Sequence, residues 1–282
     1  MRQRIRRGSR PIGQARGSTI GKSRLTILAL EGVSKRFGET VALEGVSVAF
    51  AAGQVHTILG ENGSGKSTLV KLLTGVVEPN AGTILVDGRP VRLRSPLEAR
   101  GHGIATVFQE VLLAPDRSVL DNIFLGFDGL WRRTLPLARR REIALATLAR
   151  ITRTDLDLDR QGALLPLAQQ QLVVLARALV RDPRILILDE ATAALDFADR
   201  DVLFAAIRDF VAGGRLVLFI SHRMDEVQAL SDQVTVLRNG RAIETLEGDA
   251  ITPARLLALM IPDVRLPEAR LPQARSTVRA HG

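Results

Sequence analysis

Gly60-Glu61-Asn62-Gly63-Ser64-Gly65-Lys66-Ser67 carries the spacing G-x-x-x-x-G-K-S. Glycines at Gly60, Gly63 and Gly65 let a backbone curl until successive N–H groups aim at one point. A helix starting near Lys66 adds its positive end to the same point. Lys66 brings a cation to the β- and γ-phosphates of a nucleotide, and the Ser67 hydroxyl brings a ligand for Mg²⁺. The loop and the Thr68 that follows it are therefore the expected ATP-binding residues. Far downstream, Ile185-Leu186-Ile187-Leu188-Asp189-Glu190 ends an apolar run in two carboxylates. A buried strand would deliver Asp189 to the Mg²⁺ shell beside Ser67, and Glu190 could polarise an attacking water. Turns often hold acids, so the pair gains its meaning from the phosphate loop upstream.

The elements that must position these groups alternate between strand and helix. Ile27–Leu30 and Val46–Phe50 read as short strands on either side of Phe37-Gly38, and Val55–Leu59 runs as a strand into the glycine loop. Thr68–Thr74 reads as a helix stopped by Gly75. Asp87-Gly88 and Asn239-Gly240 each separate two β-like runs, a hairpin signal. From about Pro96 to Val180 the pattern is mostly helical, with Leu172, Leu175, Ala176 and Leu179 on one face. Ile185–Leu188 and Arg215–Ile220 are continuous apolar runs, as expected of central strands covered on both faces. The fold class expected is α/β, a phosphate-loop NTPase core interrupted by a helical insertion at roughly 96–180.

With these motifs in place, the sequence over about 27–262 resembles the ATP-binding subunits of ATP-binding cassette (ABC) transporters, and within them the ribose- and xylose-type sugar importers. The stretches that carry the resemblance are Gly53–Gly63, Gly103-Ile104-Ala105-Thr106-Val107-Phe108-Gln109-Glu110 and Asp121-Asn122-Ile123-Phe124-Leu125-Gly126. The resemblance implies an ABC cassette with an antiparallel β subdomain and a helical subdomain. It implies that Phe37 stacks on adenine, although a phenylalanine of a hairpin core is the alternative reading. Gln109 would touch Mg²⁺ and water and sense a membrane partner. His222, after the strand ending in Ile220-Ser221, would be the switch histidine at the γ-phosphate, and Asp196 would lie in a loop that crosses to a partner cassette. His56 reads as packing within a strand, and His102 and His281 as surface residues. The partners implied are a second cassette, membrane-spanning permease subunits and, indirectly, an extracytoplasmic solute-binding protein, with the chain peripheral at the cytoplasmic face of the membrane.

The sequence departs from the family at its Leu-Ser-x-Gly-Gln signature, which here reads Leu165-Pro166-Leu167-Ala168-Gln169. Proline has neither hydroxyl nor N–H, and Ala168 adds a Cβ where close approach is needed. The expectation is an asymmetric subunit, which binds and hydrolyses ATP when an intact partner closes over it but impairs the site it closes in return. The chain holds one cassette where such importers often fuse two, so a second is expected in trans. Ala191 replaces the usual proline after the acidic pair, with little expected effect.

Composition sets the outer bounds. The chain has 282 residues, 46% hydrophobic and 24% charged, and no cysteine, which excludes disulfides, thiolate metal sites and a cysteine nucleophile. No apolar run reaches the ~18–20 residues that span a bilayer. Arg2, Arg4, Arg6, Arg7, Arg10, Arg16, Lys22 and Arg24 carry nearly all of the +9 formal charge. Residues 1–24 read as a disordered basic tail, solvated or touching anionic lipid or nucleic acid, and the Pro/Arg-rich end over 263–282 as frayed. A non-transport cassette acting on nucleic acid is a second class, favoured only by that tail, so nucleic acid is not an expected partner. A low-turnover nucleotide-binding partner is a third, favoured by Pro166 and Ala168. Trp131, the one tryptophan, reads as packing in the insertion.

Overall fold

The computed structural model describes residues 25–127 and 135–261. The basic segment 1–24, Trp131, His281 and the segment from 262 onward lie outside the described residues. In chain order the elements are β1 (Thr26–Phe37), β2 (Thr40–Ala51), β3 (Gln54–Leu59), α1 (Lys66–Leu73), β4 (Ala81–Val86), β5 (Arg89–Val91), α2 (Pro96–Gly101), β6 (Ile104–Val107), α3 (Val119–Ile123), α4 (Leu137–Ile151), α5 (Leu167–Leu179), β7 (Ile185–Asp189), α6 (Phe197–Ala212), β8 (Leu216–Ile220), α7 (Met224–Leu230), β9 (Gln233–Arg238), β10 (Arg241–Glu247) and α8 (Pro253–Met260).

Two sheets result. One is antiparallel with order β2-β1-β4-β5, and the other has order β10-β9-β3-β8-β7-β6, parallel except for β10 at its edge. The central strands are buried on both faces; β8 and Ile185–Leu188 of β7 are apolar throughout, whereas β3 also buries Gln54, His56 and Thr57. On β7, Ile185 and Ile187 join a core with α1 and the antiparallel sheet, while Leu186 and Leu188 point the other way into a core with α4, α5 and α6. The strand β8 divides likewise, Leu218 and Ile220 to one side and Val217 and Phe219 to the other. Each such side chain, once fully buried, contributes roughly 1.5–3 kcal/mol. That rigidity fixes where the strand ends point.

Local differences from the sequence reading have physical causes. The runs at Ile27–Leu30 and Val46–Phe50 are pieces of two twelve-residue strands, β1 and β2. Register shifts along that pair break the strict alternation that marks a strand in sequence. The run after Asp87-Gly88 is the three-residue strand β5, which starts directly after the turn at Arg89 and ends at Val91. The stretch 96–180 is mostly helical but also contributes β6, an edge strand paired with β7. Four residues are too few for periodicity to separate strand from helix.

Candidate functional site

The four strands β3, β8, β7 and β6 lie side by side, and the loops leaving their carboxyl ends carry the glycine loop, His222, Asp189-Glu190 and Gln109. Open α/β sheets present ligand sites at this edge. The loops enclose a cleft of ≈ 590 Å³ whose lining includes Lys66, Ser67, Gln109, Asp189, Glu190 and His222.

The glycine loop is held tightly. Gly65 has φ +108°, and a Cβ there would lie 2.7 Å from both the Ala42 carbonyl oxygen and Leu43 Cδ2. The turn between β9 and β10 supports the loop from behind. Gly240 N donates to the Ser64 carbonyl at 2.9 Å, and Glu44 N donates to the Gly240 carbonyl at 2.8 Å. Lys66 Nζ lies within the curl, donating to the carbonyls of Gly60 (2.7 Å) and Glu61 (3.0 Å). Burial lowers the lysine's pKa, and the charges of Glu190 and Asp189 oppose that shift. The amino end of α1 has no side-chain cap and no acidic residue in its first turn. Its N–H groups are thus left for an outside acceptor. The buried Ser64 Oγ likewise has no partner. An anion in the loop would satisfy the N–H groups at the start of α1, so the residues present fit a nucleotide phosphate.

Opposite the loop, Asp189 is buried at the end of β7. Its pKa is pushed up to about 6, first by burial and then by the Glu190 charge, against Lys66 and Lys71. A divalent cation would return it to the ionised form, which fits a metal ligand. Glu190 takes φ +49°, a left-handed conformation uncommon for a side chain of its size. Its N–H donates to the Ile220 carbonyl at 3.0 Å, and its Oε1 lies 3.0 Å from His222 Nδ1. The carboxylate and the imidazole thus form one unit across two loops. Gln109 is exposed in the loop after β6.

The remaining expected residues lie elsewhere. Phe37 is 44% exposed at the β1–β2 turn, with Lys35 Nζ 5.2 Å from its ring centroid, so the hairpin-core reading is overturned; the ring does not line the cleft. Leu165 is buried, and Pro166 occupies the N-cap of α5 without any side-chain cap bond. Asp196 caps α6, accepting from Asp199 N at 2.8 Å. None of Leu165, Pro166, Leu167, Ala168, Gln169 or Asp196 lines the cleft of this chain. His56 is fully buried, with Nε2 2.7 Å from Thr235 Oγ1 and its ring edge-on to Phe50, as a packing residue should be. Sequence reasoning missed Met260, which lines the cleft from the end of α8, and the supporting role of Gly240. Met260 bears no chemical signature, whereas Asn239-Gly240 was legible as a turn but not as a turn that touches the loop.

A family model described as "ABC transporter" matches residues 43–193. The ribose import ATP-binding protein RbsA 1 of Rhizobium johnstonii is 43% identical over 235 residues, covering 83% of this chain and 46% of the relative. RbsA 3 of Rubrobacter xylanophilus is 42% identical over 235 residues, covering 83% and 47%. The chain spans about half the length of the curated relatives it matches. Among solved structures, a nucleotide-free ATP-binding cassette from an ABC transporter superposes with TM-score 0.73 at 28% identity, covering 84% of this chain and 100% of that one. The dimeric post-hydrolysis state of the cassette MJ0796, bound to ADP and Pi, gives TM-score 0.71 at 25% identity, covering 78% and 98%.

Proposed function

The chain belongs to the ABC transporter family, and from that premise we propose that it binds and hydrolyses ATP to energise an importer for a sugar. The observation that carries the hydrolytic reading is the cleft, in which an uncapped helix start and a glycine loop face Asp189 and the Glu190–His222 pair. The sugar reading is supported by relatives named as ribose import proteins.

Residues Gly60 to Thr68 would cradle the phosphates through backbone N–H groups, with Lys66 drawn from its two carbonyls onto the terminal phosphates. Ser67, Asp189 and Gln109 would hold Mg²⁺, whose charge offsets the negative charge that grows on phosphate oxygens. Glu190 would orient the attacking water and take its proton. His222 would steady Glu190 and lie at the γ-phosphate, and Phe37 would offer its exposed ring to adenine.

A second cassette is the partner this reading requires, with Asp196 in the loop that reaches it. Permease subunits would supply the membrane path and a solute-binding protein the cargo, with this chain peripheral at the cytoplasmic face. Among the described residues no helix is long and apolar enough to cross a membrane. Leu165, Pro166, Leu167, Ala168 and Gln169 would close the partner's site and close it poorly, because Pro166 has no hydroxyl or N–H to give. The deciding experiment is titration of labelled ATP onto the full chain with Mg²⁺. Saturable binding that Lys66→Ala abolishes is expected; no binding, or binding that survives Lys66→Ala, overturns the reading.

A further inference from the structure

One carboxylate outside the cleft is buried more deeply than Asp189. Glu226, in α7, is 1% exposed, yet its side chain is surrounded by donors. Thr192 Oγ1 donates to the carboxylate, 2.9 Å from each oxygen. Ser221 Oγ donates to Oε2 at 2.8 Å, and Arg223 Nη1 lies 3.3 Å from Oε1. The Arg223 N–H in turn donates to Ser221 Oγ at 3.1 Å. A buried carboxylate without such partners would cost several kcal/mol, so this cluster is built around its charge.

The positions of the donors give the cluster its meaning. Thr192 is two residues past Glu190, and Ser221 and Arg223 stand on either side of His222. The β7–β8 ladder ends where Glu190 N donates to the Ile220 carbonyl. Beyond that bond, among the described residues, no backbone hydrogen bond joins 191–196 to 221–226. Glu226, beside the Glu190–His222 contact itself, ties the two loops together past the end of the sheet, and the Arg200–Asp225 pair joins the helices that follow them.

We infer that Glu226 is the positioning residue of the hydrolytic pair: its carboxylate, held by Thr192 on one loop and Ser221 and Arg223 on the other, sets the 3.0 Å contact between Glu190 and His222. The inference deepens the hydrolytic reading and rests on it for its consequence. A neutral or absent side chain at 226 lets the loops separate, so Glu190 and His222 act as two independent groups. The glycine loop, on β3 and α1, makes no contact with Glu226 that this geometry uses. Nucleotide binding should survive while turnover falls.

The test uses the full chain with isotope-labelled histidines and needs no nucleotide for its first arm. In the wild-type background, Glu190→Gln should shift the ring resonances of His222; in the Glu226→Ala background it should not. His56, buried within β3, reports the fold in the same spectrum. If Glu226→Ala disturbs His56, Thr192→Val combined with Ser221→Ala removes two donors, leaves the Arg223 pair, and is read identically. An equal His222 response in both backgrounds overturns the inference. In the second arm, Glu226→Gln should lower kcat for MgATP about tenfold or more with KM within about threefold, and Glu226→Asp should restore part of it. An unchanged kcat overturns the inference, and so does a loss confined to KM. Should Lys66→Ala leave ATP binding intact, the hydrolytic reading fails, and the resonance arm still decides whether Glu226 sets the pair.

Discussion

His56 and Asp189 are both buried polar groups at strand positions, and burial separates a structural residue from a chemical one. For His56, closed in from both sides, burial holds the pKa down at about 4, so the ring stays neutral. In the unfolded chain it titrates near 6.5. Between those values the unfolded state binds more protons than the folded one, so the His56 contribution is fully present above pH 6.5 and is lost as pH falls through about 4. The shift corresponds to at most about 3 kcal/mol. Urea unfolding at pH 7.5 and pH 4.5 should show a drop of that order, and His56→Leu should flatten it; Thr235 Oγ1 would still have Thr245 Oγ1 at 2.7 Å. An equal pH slope in wild type and variant would assign the loss to other groups. Asp189 shifts the opposite way, up to about 6, and its carboxyl faces a cleft where a cation can reach it. The same desolvation gives a packing group in one case and a candidate metal ligand in the other.

Two short elements act on the site from outside it. The Asn239-Gly240 turn links β9 to β10 in left-handed conformations, φ +50° and +74°, as an Asn-Gly hairpin turn requires. A Cβ on Gly240 would lie 2.8 Å from the Ala42 carbonyl oxygen, and the Gly240 N–H supports the glycine loop through Ser64. Gly240→Ala should therefore lower stability by about 1–3 kcal/mol and weaken MgATP binding severalfold, read by urea unfolding and ATP titration. Unchanged affinity would separate the turn from the loop. At the start of α5, Pro166 offers no side-chain cap. Pro166→Ser supplies one, worth about 1 kcal/mol, while Ala168→Gly subtracts up to about 1 kcal/mol. The double variant should thus keep near-native stability, so its effect on turnover is chemical. ATPase of the assembled transporter should rise, and an unchanged rate rejects the impairment of the partner's site.

At the scale of the whole molecule, the sheet order converts four distant stretches into one edge. Gly60, Gln109, Asp189 and His222 follow β3, β6, β7 and β8, which the fold arranges as β3-β8-β7-β6. The edge gathers the groups proposed to hold one nucleotide, while residues 165–169 and Asp196 do not line its cleft. Leu164, Leu167 and Phe197 are exposed near the starts of α5 and α6, at 60%, 60% and 72%. Glu190→Gln, expected to bind ATP without turning it over, should run as a dimer by light scattering with MgATP and as a monomer without it. A monomer under both conditions rejects pairing between copies of this chain.

The phosphate loop, the acidic pair after β7, the hairpin turns and the alternating α/β pattern were all legible in the amino-acid order, because each depends on neighbours within about ten residues. The +108° φ of Gly65 favours glycine locally, and the unbroken apolar run Ile185–Leu188 is visible without knowing what covers it. The pairing of Glu190 with His222, the fit of Asn239-Gly240 behind the loop, the carboxylate of Glu226 beneath both, and the exposure of Phe37 were decided only by packing. Those contacts join residues tens to nearly two hundred positions apart, and no local preference encodes them; they exist because burying both faces of β3, β8 and β7 forces these strands to lie adjacent.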